Sequence, residues 1–338
     1  MQVPFPELTD LHLSSHLTPS VIPDPFLGGS APQLRRFSLS GIRYPGLQEL
    51  LLSATHLVDL YLFNIPQSGY ISPKAKTALL SALPSLKSLS LGCPYSHPDL
   101  ESRSLSPPNR SILPPLDAFH FVGDTEYLED LVTRIDTPRL NTLLVFFFDE
   151  IDFDYRQLAQ LINRTPTLSA LDEALVKFDD TTAIIKLRYR TSRSSLDNVR
   201  IYIACREPYL QLSSAQRICN ASLPPLSTVE DLHIPHRYRK LVWTDYAIVN
   251  TLWLRLLIPF TAVKNLYISE TFAPGIAAAL QELVRGRIIE VLPSLQNIFL
   301  EGPELSGPLQ ENIEQFVAAR RLSGRPIAIT VTGTKTLA

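Results

Sequence analysis

The chain has 338 residues, of which 45% are hydrophobic and 19% are charged, and its formal net charge is −2. A chain of this length and composition can bury a large core. The small net charge supplies no overall field to hold nucleic acid or an anionic membrane, so neither is expected as a partner. The three cysteines, Cys93, Cys205 and Cys219, do not form a disulfide framework, and this favours a reducing compartment, the cytoplasm or the nucleus.

A short apolar phrase recurs ten times: a leucine or valine, two variable residues, an apolar residue, one variable residue and a second apolar residue. The phrase begins, in chain order, at residues 8, 34, 57, 86, 116, 140, 196, 229, 263 and 295. It matches the strand segment of a leucine-rich repeat. Neighbouring phrases begin 23 to 34 residues apart, except across the gap between 140 and 196. These long and uneven spacings predict full helices between the strands.

Helical periodicity and proline or cap residues predict seven helices between the phrases. They cover 73–83, 124–135, 154–162, 213–221, 244–257, 274–291 and 308–321, and a last strand is predicted over 326–331. We therefore expect an α/β fold, a leucine-rich-repeat solenoid or horseshoe, with parallel strands on the concave face and helices on the convex face. One domain over 1–338 with about 10–12 irregular repeats is expected.

The gap after residue 140 contains the one irregular segment. Residues 171–178 and 182–189 each have the composition of a strand, and Asp179 and Asp180 between them favour a turn. We predict an irregular hairpin or a distorted repeat over 171–190.

Side chains alternate between the two faces of a strand, so the variable residues of each phrase point toward the concave side. Most of these are small or polar. The larger ones are candidates for contact with a protein partner: Tyr61, His120, Leu144, Phe146, Phe148, Arg200, Tyr202, His233 and Tyr267. Residues 143–148 are apolar on both faces, which has two interpretations. Either the irregular hairpin covers the outer side chains, or they form an apolar anchor for a partner.

A basic run follows on the second strand of the irregular segment. Lys186, Arg188 and Arg190 alternate there, and Arg193, Arg200 and Arg206 are close in sequence. The run is interpreted either as a solvated strand face or as a site for a phosphorylated or acidic partner.

Catalytic motifs are absent from the sequence: it contains no glycine-rich phosphate loop and no nucleophile elbow. Two pairs of possible metal ligands, Cys93 with His97 and His233 with His236, lack the further ligands of a tetrahedral site. The acidic cluster at 149–154 lacks the glycine and terminal glutamate of a calcium loop. We expect no catalytic, cofactor or metal residues, and a protein that is not an enzyme.

Three phrases in the second half, 223–232, 259–267 and 292–302, resemble the C-terminal repeats of F-box leucine-rich-repeat proteins of mushroom-forming fungi, and 205–208 and 211–214 are similar as well. The resemblance implies the substrate-recognition part of an F-box-type ubiquitin ligase receptor. The chain begins inside a repeat with no F-box ahead of it. A Skp-type adaptor and a cullin are therefore expected as partners only if an F-box lies upstream, and the alternative is a stand-alone repeat scaffold or regulator.

Overall fold

The computed structural model describes residues 5–15, 20–24, 26–66, 69, 71–93, 110–148, 156–190, 197–220, 224–236, 246–284, 291–301 and 308–332. The chain divides into two compact units. Unit 1 consists of Met1–Phe148 and Tyr155–Leu168, and unit 2 consists of Asp149–Asp154 and Ser169–Ala338.

Unit 1 contains one strand for each repeat. In chain order the strands are β1 (Asp10–Ser14), β2 (Arg36–Ser40), β3 (Asp59–Phe63), β4 (Ser88–Cys93), β5 (Ala118–Gly123) and β6 (Thr142–Phe147). Each pairs in parallel with the next. The helices are α1 (Leu47–Ser53), α2 (Pro73–Ser81), α3 (Thr125–Thr133) and α4 (Arg156–Arg164), and they pack side by side in chain order. Two short parallel pairs, Ser20–Val21 with Ile42–Arg43 and Ser111–Ile112 with Ile135–Asp136, flank the sheet.

The strand register stacks the apolar residues of the phrases into two continuous rows. One row contains Leu11, Phe37, Leu60, Leu89, Phe119 and Leu143, and the other contains Leu13, Leu39, Leu62, Leu91, Phe121 and Val145. From β2 onward every member is at most 3% exposed. Burial of each such side chain contributes about 1.5–3 kcal/mol of transfer free energy, so the rows are the main source of stability in this unit.

Local caps set the starts of two helices in unit 1. Ser72 precedes α2 and its Oγ accepts a hydrogen bond from the Ala75 amide at 3.3 Å. Asp124 caps α3, and its Oδ1 accepts a hydrogen bond from the Glu126 amide at 2.7 Å. The helix ends at Thr133, before the predicted end at Ile135, because Ile135 joins a short strand. Helix α1 was not expected from the sequence.

Unit 2 contains seven strands and four helices within the described ranges. The strands are β7 (Glu173–Phe178), β8 (Thr182–Arg188), β9 (Val199–Ala204), β10 (Asp231–Ile234), β11 (Asn265–Ser269), β12 (Asn297–Glu301) and β13 (Ala328–Thr332). The helices are α5 (Pro208–Asn220), α6 (Tyr246–Leu257), α7 (Ala273–Val284) and α8 (Pro308–Leu322). Strand order in this unit is β9-β8-β7-β10-β11-β12-β13.

Strands β7 and β8 form an antiparallel hairpin over the irregular segment, and β9 pairs antiparallel with β8. Asp179 begins the turn: its amide donates to the Thr182 carbonyl at 3.0 Å, and its Oδ1 accepts from the Thr181 amide at 3.2 Å. Strand β10 then pairs in parallel with β7 and not with β9, which precedes it in the chain. From β10 to β13 the strands are again parallel and in chain order.

These elements confirm the predicted α/β leucine-rich-repeat fold, with parallel strands in one layer and helices in the other. Several predicted helix limits are wrong. Helix α5 begins at Pro208, five residues before the predicted start. Val291 is not helical, because Leu292 precedes Pro293 and adopts a φ of 47°. The acidic cluster at 149–154 and His97 lie outside the described residues.

Candidate functional site: the strand face

The helices of each unit pack against the buried side of its strands. We call the opposite side of the sheet the strand face. It displays the variable residues of the phrases, as the alternation of side chains requires. Because backbone hydrogen bonds hold neighbouring strands in register, side chains at matching positions form rows across each unit.

In unit 1 an aromatic pair crosses the middle of the strand face. The rings of Tyr61 and Phe63 stack with centroids 4.3 Å apart and an interplanar angle of 13°. Phe63 lies over Gly92 of β4, where an added Cβ would come within 2.4 Å of the ring. The glycine therefore provides the space in which Phe63 lies across the next strand. Tyr61 stays 40% exposed and is available for contact.

The predicted apolar stretch lies on β6 at its C-terminal end. Val145 and Phe147 are buried, whereas Leu144 and Phe146 are partly exposed and Phe148 is 41% exposed. The Phe146 and Phe148 rings contact each other edge to face at 5.8 Å. The stretch is thus buried on one face and partly exposed on the other.

Polar side chains surround these aromatic groups. His120 on β5 lies with its Nδ1 3.5 Å from the Ser90 Oγ. At the β1 side, Arg36 pairs with Asp10, and this hydrogen bond lowers the pKa of the Asp10 carboxyl. Residues of β1, β2 and β3, including Asp10, Arg36 and Tyr61, line an open groove of about 670 Å³.

In unit 2 three aromatic rings form a ladder across adjacent strands. His233 stacks on Tyr267 with centroids 4.2 Å apart and an interplanar angle of 5°. Tyr267 stacks on Phe299 at 4.5 Å and 9°. The register places Leu175 of β7 directly beside His233, so an aliphatic side chain continues the row.

A polar row runs parallel to the ladder. The Asn265 amide donates to the Asp231 carboxylate at 2.6 Å, and the Asn297 amide donates to the Asn265 side-chain oxygen at 2.8 Å. Arg190 forms an ion pair with Asp231, which is 4% exposed. This row bonds to itself and stabilises the register of β10, β11 and β12.

The basic run predicted on β8 is divided between two environments. Arg188 pairs with Glu173 of β7, and Arg190 with Asp231, so both arginines bond within the unit. Lys186 also forms an ion pair, with Asp197 at 2.9 Å, but its side chain lines an open groove of about 510 Å³. Arg193 and the surrounding residues 191–196 lie outside the described part of the chain.

His233 is neutral near pH 7. Its burial lowers the pKa of the imidazole below the ordinary 6.5, and the nearby carboxylates Glu173 and Asp231 offset this effect only in part. The Glu173 Oε1 lies 3.5 Å from the Nε2 of His233. A neutral imidazole can both donate and accept a hydrogen bond, so it suits a polar edge of an aromatic ladder.

The structure distributes the predicted contact residues over both units. Tyr61, His120, Leu144, Phe146 and Phe148 lie on the strand face of unit 1, and Arg200, Tyr202, His233 and Tyr267 lie on that of unit 2. Tyr202, His233 and Tyr267 line the 510 Å³ groove together. The strand face also contains Phe63, Leu175, Lys177 and Phe299, which are not among the predicted contact residues although alternation along their strands places each on this face.

Within the described ranges, no three histidine, cysteine or acidic side chains come together as a metal site. No described helix is both long and apolar enough to cross a bilayer.

No known family model matches the sequence, and no curated protein matches it. Among solved structures, the chain is similar to the leucine-rich repeat-containing protein LegL7 from Legionella pneumophila, with 11% sequence identity and a TM-score of 0.34. The similarity covers 88% of this chain and 91% of that one. The leucine-rich-repeat fold of this chain therefore rests on its own strand register and stacked apolar rows.

Proposed function

We propose that the chain is a protein-binding module whose strand face contacts the partner. The observation that carries the proposal is the exposed aromatic set on this face, led by Tyr61 at 40% and Phe148 at 41% exposure. Exposed aromatic groups among polar neighbours are typical of protein interfaces. The helices cover the other side of the sheet, so the strand face is the broad open surface of each unit.

The finer proposal is that the module is the substrate-recognition part of an F-box-type ubiquitin ligase receptor. It rests on the resemblance of 223–232, 259–267 and 292–302 to the repeats of that family. In this role the chain binds a substrate on its strand face, and a Skp-type adaptor and a cullin join only through an F-box. Cys93, Cys205 and Cys219 form no disulfide, which suits the cytoplasm or the nucleus.

The second candidate is a stand-alone scaffold or regulator with no connection to a ligase. Stacked repeats that present an open strand face are sufficient for this role, because binding alone requires no second domain. Both candidates use the same binding surface and differ in the proteins that accompany the partner.

A pull-down read by mass spectrometry tests these proposals with two matched double variants. Tyr61→Ala/Phe148→Ala removes two exposed side chains from the strand face. Leu52→Ala/Tyr209→Ala removes two side chains of similar exposure, 47% and 44%, from helices α1 and α5. We expect the strand-face variant to lose specific partners and the helix variant to keep them. Equal capture by both variants would refute binding through the strand face.

The identity of the captured proteins separates the two candidates. Recovery of a Skp-type adaptor and a cullin together with the partner supports the ligase receptor. Recovery of other proteins alone supports the scaffold or regulator.

A further inference from the structure

We infer that the groove on the strand face of unit 2 binds an extended acidic peptide segment of a partner protein. The inference rests on the proposed protein-binding function and specifies the chemistry of the ligand. Side chains from six strands, β7 to β12, line the groove. At about 4.8 Å per strand it spans roughly 24 Å, which is the length of about seven residues of extended chain.

The floor of the groove alternates lysine and aliphatic side chains. The register pairs Leu175 with Lys186 and Lys177 with Ile184, so the two lysines lie on one diagonal and the two aliphatic residues on the other. In an extended peptide the residues at every second position face the same side. Acidic side chains on that side can reach the lysines, and an apolar side chain on the same side can contact Leu175 or Ile184.

The excess of lysine over glutamate in the groove lining favours an anionic ligand. Two lysines and one glutamate, Glu301, are the charged residues that line the groove, and His233 is neutral there. An ammonium group has three donors, and the ion pair with Asp197 uses only part of this capacity on Lys186.

Arg200 lies next to the groove without lining it, because the register places it directly opposite Lys186. Its Nε is buried and has no hydrogen-bond acceptor among the described residues. A buried donor without a partner is costly, and an anionic oxygen would satisfy it.

The aromatic ladder favours a peptide over single-stranded nucleic acid. Nucleic-acid bases stack on exposed faces of aromatic rings. In the ladder the ring faces of His233, Tyr267 and Phe299 cover one another, with interplanar angles of 5° and 9°. The rings present edges, including the Tyr267 hydroxyl, which suit the side chains and backbone of a peptide.

Selection from a random heptapeptide library displayed on phage tests the inference with the full chain. We expect enrichment of peptides that combine several aspartates or glutamates with at least one large apolar residue. Lys177→Glu/Lys186→Glu should weaken their binding about tenfold or more. Lys74→Glu/Lys87→Glu reverses two exposed lysines of unit 1 and should leave binding unchanged. Added salt should weaken the wild-type interaction.

Because charge reversal beside Asp197 can disturb folding, Lys177→Gln/Lys186→Gln serves as a second variant, with circular dichroism as a check of both. It should also lose affinity, by a smaller factor.

Enrichment of neutral or basic peptides, unchanged binding by both lysine variants, or preferential binding of a random single-stranded oligonucleotide would overturn the inference. If the peptides instead depend on Tyr61 and Phe148, the acidic groove is wrong and the proposed function stands. Failure to enrich any peptide also overturns the acidic groove, and the pull-down then decides the proposed function.

Discussion

The two units build the same kind of sheet in different ways. Unit 1 uses one strand per repeat, and all of its strands are parallel and in chain order. Unit 2 begins with the antiparallel strands β7, β8 and β9 before the parallel order resumes at β10. In unit 1 the stacked apolar rows follow chain order, whereas in unit 2 specific contacts accompany the change of strand order.

Those additional contacts are polar. Gln211 of α5 is fully buried, and its amide donates to the Asp179 carbonyl at 2.9 Å and to the Cys205 carbonyl at 2.7 Å. It therefore ties the helix to the hairpin turn and to the residue that follows β9. The Thr228 hydroxyl donates to the Leu171 carbonyl at 2.8 Å and holds the approach to β10 beside β7. Hydrogen bonds of this kind specify which strands are neighbours.

The largest expected effect on the free energy of unfolding comes from removal of a core ring in unit 1. Phe119 is fully buried between Leu89 and Leu143 in one apolar row. Phe119→Ala should lower the free energy of unfolding by about 3–5 kcal/mol, because it removes buried area and leaves a cavity. Urea unfolding followed by circular dichroism measures this change. Phe148→Ala, at an exposed ring, is the control and should have little effect; a similar loss in both variants would contradict the role of the rows.

The second-largest expected effect is a destabilisation that should be confined to unit 2. Gln211→Met leaves the Asp179 and Cys205 carbonyls without their buried donor and should cost about 2 kcal/mol. Hydrogen exchange should become faster in β7, β8 and β9 and remain unchanged in β1 to β6. Gln216→Met, at a partly buried position of the same helix, is the matched control. An equal loss of protection in both units would show that Gln211 does not act locally.

A buried lysine allows a stabilising change in unit 1. Lys76 is 7% exposed, and its described contacts include the Tyr127 ring, 5.7 Å from its ammonium group. Burial lowers the pKa of Lys76 below the ordinary 10.5. As the pH approaches 10.5, the unfolded chain therefore binds more protons at this site than the folded chain does. The contribution of Lys76 to the free energy of unfolding then rises with pH.

Lys76→Met should therefore increase the free energy of unfolding by about 1 kcal/mol near neutral pH. It should also remove the part of the alkaline rise in stability that Lys76 causes. Urea unfolding at several pH values provides the measurement, and Lys74→Met, at an exposed position of the same helix, provides the control. Destabilisation by Lys76→Met alone would mean that the charged form is favoured in the folded state.

The smallest expected effect concerns the aromatic ladder of unit 2. Burial lowers the pKa of His233 in the folded chain, so the unfolded chain takes up the proton first as the pH falls below 6.5. His233→Phe keeps the stacked ring and removes this titration. Its stability should decline less than that of the wild type between about pH 7 and pH 5. A steeper decline in the variant would indicate that protonated His233 is stabilised by Glu173.

Much of the fold and the strand face is predictable from the repeated phrase. The phrase identifies Leu89 and Phe119 as buried and Tyr61 and Tyr267 as facing outward, because alternation along a strand determines the side on which each residue lies. Strand pairing in the insertion is not predictable in this way. The Arg188–Glu173 pair follows from the hairpin register of β7 and β8. The Arg190–Asp231 pair depends on β10 lying beside β7, which no local sequence pattern indicates. Helix α1 escaped prediction because its seven residues are too short for a clear helical period.

Hydroxyl-radical footprinting of the chain with and without its captured partner tests the central claim most directly, since it reports the solvent access of individual side chains. The account predicts that binding protects Tyr61 and Phe148 on the strand face and leaves the oxidation of Leu52 and Tyr209 on the helices unchanged. Protection of Leu52 and Tyr209 without protection of the strand-face aromatic residues would contradict it.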